Sequence, residues 1–189
     1  MVKKLLISGA ILLFSLFSLV GCSLFNSPEK TVESYLTALL DMDTVKAEEY
    51  LVPNSTIQDL PTDKDMKNLL KEICSYIKIE SVTTEKETKN AAYVNVNIQS
   101  PDIGQLYHNS IDAALTAYLA DKTIDDATFN AAIVENIQAQ LDSKDLKLIS
   151  EHLKVKVIKG EKKWLLTDDA KTALNKICIG DMETLHLVQ

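Results

Sequence analysis

The sequence predicts an α+β fold in which an antiparallel sheet packs on N-terminal helices, with a helix pair over 103–141 inserted between two strand pairs. Three observations carry this. Apolar residues recur at helical spacing up to residue 77, the period then drops to two, and two long helical patterns separate one period-two stretch from the next. Each element has a local reason.

Ser27-Pro28-Glu29 is a helix start, with Ser as the cap, Pro at the first helical position and an acid in the first turn. Val32, Tyr35, Leu36, Leu39 and Leu40 give that helix one apolar stripe, and Asp41-Met42-Asp43 breaks it. Thr44 can cap a second, short helix that turns Ala47, Tyr50 and Leu51 inward and ends near Pro53. A loop with two prolines runs to Asp63. A third helix then spans about 64–76, with Met66, Leu69, Leu70, Ile73 and Ile77 on one face. Ile77 and Ile79 alternate with Lys78 and Glu80. After a charged turn at 85–90, Val94, Val96 and Ile98 alternate with Tyr93, Asn95 and Asn97. That is a strand pair with one dry and one wet face. Pro101 closes it. The inserted helices run about 103–120 and 126–141, the second with Phe129, Ile133, Ile137 and Leu141 spaced by fours. Strands return with Leu153, Val155 and Val157, then a Lys159-Gly160-Glu161 turn, then Trp164 and Leu166. Asp168 can cap a last helix carrying Ala170, Ala173, Leu174 and Ile177. No repeat or second linker appears, so 28–180 reads as one domain followed by a tail, 181–189.

Composition narrows the function. The 189 residues include 20 cations and 27 anions, a formal charge of −7, and every cation is Lys. An acidic chain without Arg lacks the basic field and the planar fork that grip nucleic acid, so nucleic acid is not an expected partner. Before the domain, Lys3 and Lys4 precede sixteen uncharged, mostly apolar residues, Leu5 to Val20. That run is shorter than the ~20 residues of a membrane-spanning helix and reads as a secretory signal. It ends Leu19-Val20-Gly21-Cys22, which resembles the bacterial lipobox. The resemblance implies a signal peptide over 1–21, cleavage between Gly21 and Cys22, a diacylglyceryl thioether on Cys22, and a lipidated tether over 22–27. The mature chain then carries 18 cations against 27 anions, a charge of −9. Its anchoring must come from lipid rather than from charge. An uncleaved anchor helix and an ordinary cleaved signal are the alternatives. The first wants a longer apolar run, the second a better small-x-small site.

The helix opening Ser27-Pro28-Glu29-Lys30, its Tyr35-Leu36-Thr37-Ala38-Leu39 stretch and a second helix ending Glu49-Tyr50-Leu51 resemble small bacterial lipoproteins of the nuclear-transport-factor-two-like, cystatin-like fold. The hairpin of Leu153-Lys154-Val155-Lys156-Val157 with Lys163-Trp164-Leu165-Leu166 resembles the closing strands of that family. The resemblance implies a curved sheet wrapped around the N-terminal helices. The inserted pair at 103–141 departs from the enzymes of this fold and matches uncharacterised lipoproteins of Gram-positive bacteria.

Candidate chemistry is sparse. Relatives that catalyse proton transfer place an Asp and a Tyr or His inside the cone of the sheet. The three histidines fall on an exposed helix turn (His108), a wet strand face (His152) and the tail (His186). Tyr93, Val94, Val96, Val155 and Trp164 are candidate pocket-lining residues, with an ordinary packed core as the plainer reading. Lys154, Lys156, Lys159, Lys162 and Lys163 form a basic ribbon that reads as a solvated strand face. With Cys22 lipidated, Cys74 and Cys178 remain, as a candidate disulfide or as two separate buried thiols. No metal motif, cofactor motif or catalytic constellation appears, so catalytic residues are not assigned and no cofactor is expected beyond the lipid. The expected protein is a lipid-anchored, extracytoplasmic, non-enzymatic binding or interaction module. Its partners would be the bilayer and an unidentified protein or envelope ligand. The alternative is a small-molecule-binding or proton-transfer protein that uses the cone.

Overall fold

The computed structural model describes residues 27–57, 64–120 and 125–179, with side chains to 177. These described residues form six helices and four strands in the order α1 (Pro28–Leu40), α2 (Thr44–Glu48), α3 (Lys64–Ser75), β1 (Lys78–Glu87), β2 (Ala91–Pro101), α4 (Ile103–Ala120), α5 (Asp126–Leu141), β3 (Leu148–Lys159), β4 (Trp164–Leu166) and α6 (Asp168–Ile179). This is an α+β fold. The sheet is antiparallel and four-stranded, in the order β1-β2-β3-β4, and the helix pair α4–α5 falls between β2 and β3.

Ser27 caps α1 by accepting the Lys30 N–H at 3.2 Å, and Pro28 supplies the first helical φ. The helix ends in a Schellman turn. The Asp43 N–H reaches Ala38 O and the Met42 N–H reaches Leu39 O, each at 2.9 Å, with Met42 in the left-handed region at φ 58°. Two caps sit one residue before their expected places. Asp43 Oδ1, not Thr44, receives the Lys46 N–H at 3.0 Å. Thr167, not Asp168, caps α6 through its Oγ1 to the Ala170 N–H at 3.4 Å and its carbonyl to the Lys171 N–H at 2.9 Å. Asp168 instead accepts from Ser55 Oγ at 2.5 Å.

Two strands outrun their sequence signal. β1 continues to Glu87 where a charged turn was expected, and the turn shrinks to 88–90. β1 is an edge strand with register shifts after Ile79 and after Thr84, and these bulges blur its alternation. β3 begins at Leu148, pairing with Pro101, and keeps register with β2 to Ile158, opposite Ala91.

Among the described residues the buried apolar side chains form two clusters. The first lies between the inner face of the sheet and α1, with α6 closing over β3. The second joins α3 to the inserted pair through Leu69, Ile73, Leu106, Ala114, Ile133, Ile137 and Leu141. Helix α3 serves both, since its last turn places Cys74 in the first cluster. Between α4 and α5, Gln140 Nε2 donates to Ser110 Oγ at 2.8 Å, and Asn109 Nδ2 donates to Gln140 Oε1 at 3.0 Å.

Candidate functional site

Strand alternation divides the sheet into two faces. On the inner face Ala92, Val94, Val96, Ile98, Val155, Val157 and Trp164 are each at most 3% exposed and pack with Val32, Tyr35, Leu36 and Leu39. Four of the five candidate pocket residues therefore share a packed wall. The fifth, Tyr93, does not join them. As the neighbour of Val94 in one strand it points to the other face, where it is 39% exposed with the Lys154 ammonium 5.4 Å from its ring centre. Inside the core the Tyr35 hydroxyl donates to Asn175 Oδ1 at 2.5 Å.

The outer face is polar. Asn97 Nδ2 donates to Ser81 Oγ at 2.8 Å, and Asn97 Oδ1 lies 2.6 Å from His152 Nδ1, so the imidazole Nδ1–H is the donor there. One row further along, Lys154 donates to Glu85 at 2.6 Å, and this bond holds the Glu85 carboxyl below its ordinary range. His152 thus stands on the wet face, as its register position predicts. His108 is exposed on α4, 3.5 Å from Asp112. His186 lies outside the described residues.

The end of the sheet that carries both hairpin turns is built from three segments. The 88–90 turn and the 160–163 turn are tied by the Lys159 N–H to Asn90 O bond at 2.9 Å. The second turn is closed by Gly160 N–H to Lys163 O at 2.9 Å, and a Cβ at Gly160 would sit 3.0 Å from that same oxygen, a tight contact that glycine avoids. The first turn of α1 docks beside them. Glu29 Oε1 accepts the Thr84 N–H at 3.1 Å, and the Thr31 hydroxyl donates to Trp164 O at 3.5 Å. Partial burial pushes the Glu29 carboxyl up, but hydrogen bonds from Thr84 and Ser27 outweigh it and hold the group below its ordinary value. Lys86, Lys89, Lys156, Lys159, Lys162 and Lys163 are all exposed here. The Lys159 ammonium lies 4.6 Å from the centre of the Trp164 ring and the Lys163 ammonium 5.5 Å from that of Tyr50, so an aromatic face steadies each cation while its residue stays exposed. The basic ribbon thus gains Lys86 and Lys89, which only strand register brings beside it.

Cys74 is 4% exposed in the last turn of α3, and burial pushes its thiol up to about 11. Cys178 belongs to the last turn of α6, which packs against α3. The side chain of Cys178, and all of Gly21 and Cys22, lie outside the described residues. Among the described residues no group of three or more His, Cys, Asp or Glu is placed to hold a metal ion. Among them, too, no helix is long and apolar enough to cross a membrane.

No family model matches the chain, and no curated protein matches it. Among solved structures, it is similar to YcdA of Bacillus subtilis, provisionally classed as a lipoprotein, at 16% identity and a TM-score of 0.44. The match covers 76% of this chain and 46% of that one, so the chain spans less than half the length of that neighbour.

Proposed function

We propose that this protein is a lipid-anchored, extracytoplasmic lipoprotein whose domain is a non-enzymatic binding or interaction module of the nuclear-transport-factor-two-like type. One observation carries the anchor: the lipobox Leu19-Val20-Gly21-Cys22 closes a short apolar run, only five residues before the Ser27 cap of α1. A lipid on Cys22 would therefore meet a folded domain almost at once. Two acyl chains give stable anchoring where one does not.

The packed inner face supports a binding role over catalysis. A proton-transfer site needs a carboxylate or imidazole facing the cone. Among the described residues, the buried Tyr35 hydroxyl donates to the half-buried Asn175 amide, and an amide is neither a general acid nor a general base. The N-terminal helix seated on the inner face of an antiparallel sheet supports the fold kinship. The test of the anchor is palmitate labelling in the native host. Label should enter the wild-type protein and be absent from Cys22→Ser. Unlabelled wild type, or label surviving the substitution, would overturn the reading.

Outside the cytoplasm the other two cysteines would meet an oxidising environment. The packing of α3 on α6, with a cysteine in the last turn of each, favours a Cys74–Cys178 bridge over two separate thiols. Such a bridge closes a loop of about a hundred residues, worth up to about 4.7 kcal/mol in the chain-entropy model. A non-reduced digest should yield the two cysteine peptides joined. Two separate alkylatable thiols in the protein from its native compartment would contradict the bridge.

A further inference from the structure

We infer that the turn end of the sheet is the surface this protein presents to its own membrane, and that its lysines dock on anionic lipid headgroups. The inference rests on the anchor proposed above and adds an orientation to it.

The tether sets the distance. Five residues from Cys22 to Ser27 span at most about 18 Å when fully extended. The domain end that receives the tether is the first turn of α1, held to Thr84 of β1 and Trp164 of β4. Those two residues lead directly into the two hairpin turns, which are themselves bonded through Lys159 and Asn90. Whatever holds Cys22 at the bilayer surface therefore holds these turns near it.

The charge matches the place. The stretches 85–91 and 156–163 contain Lys86, Lys89, Lys156, Lys159, Lys162 and Lys163 against Glu85, Glu87 and Glu161, a local excess of three positive charges. The mature chain as a whole is at −9. Glu85 is already neutralised by Lys154, and Glu29 is turned onto the backbone of β1. The positive end of the α1 dipole points the same way. An anionic surface potential falls off within a Debye length, roughly 8 Å at physiological salt. An acidic globule tethered this closely is attracted only if its basic end faces the lipid, and this is the end that the tether enters. The opposite end of β3 lies eleven residues away, about 36 Å at the usual strand rise. It carries Lys144 and Lys147, which serve as an internal control.

The test is lysine footprinting of the full lipidated protein by acetylation and peptide mass spectrometry, on vesicles containing phosphatidylglycerol and on pure phosphatidylcholine. On anionic vesicles Lys86, Lys89, Lys156, Lys159, Lys162 and Lys163 should react several-fold more slowly than in detergent, while Lys144 and Lys147 keep their rates. On neutral vesicles, or in half-molar salt, the protection should disappear. Equal rates at both ends of the molecule, or protection indifferent to headgroup charge, would overturn the inference. Failure of the anchor reading is seen separately: a chain without lipid does not float with either vesicle.

Discussion

Tyr35 shows how a single residue joins two distant parts of the chain. It is fully buried, and its hydroxyl meets Asn175 of α6 across 140 positions of sequence. Tyr35→Phe keeps the ring but takes this donor from a half-buried amide oxygen, so urea unfolding should show a loss of about 1 kcal/mol. Trp164 anchors the last strand at 3% exposure, and Trp164→Ala should cost about 3–5 kcal/mol by the same measurement. Glu29 gives a pH signature. Its carboxyl is held below its ordinary value of 4.5, so the charged form is the one favoured by folding. The stability it adds is present above that value and is lost as the pH falls through the lower, folded-state pKa. Acid unfolding of Glu29→Gln should therefore be less steep below pH 4.5 than that of the wild type. An unchanged acid limb would show that the Thr84 contact contributes nothing.

Elements whose sequence signal is local were legible; those decided by neighbours were not. Helices α4 and α5 match their expected bounds because an apolar residue every third or fourth position needs no partner to be recognised. The sequence reads a charged turn from residue 85, where β1 in fact continues to Glu87, because two bulges on an edge strand scramble the period-two pattern and its exposed Thr, Lys and Glu resemble a turn. The two displaced caps reflect the same limit. Asp43-Thr44 and Thr167-Asp168 each offer two good capping residues in a row, and only the backbone geometry chooses between them. Tyr93 was placed with Val94, an error that strict alternation already forbids. The link between α4 and α5 was invisible in sequence, since nothing marks Gln140 as the partner of Ser110, which is fully buried. Gln140→Leu should remove that partner and expose the amides of α4 and α5 to faster hydrogen exchange, with β2 and β3 little changed. Uniform acceleration across both clusters would mean that the helix pair and the sheet open as one unit.

On the scale of the whole molecule, the buried apolar side chains of the described residues form two clusters joined through α3. That arrangement gives the sheet a dry face covered by α1 and α6, a polar face exposed among the described residues, and a basic end beside the start of α1. The candidate site was only half legible for this reason. The lipobox is a contiguous motif and can be read directly, but the surface it would hold at the membrane is assembled from two hairpins some seventy residues apart. Everything proposed about orientation and compartment depends on what becomes of Cys22. The most direct measurement is the intact mass and N-terminal peptide of the protein isolated from its native membrane. The account predicts a chain that begins at Cys22 and carries a diacylglyceryl thioether. A chain that still begins at Met1, or a Cys22 peptide of unmodified mass, would contradict it.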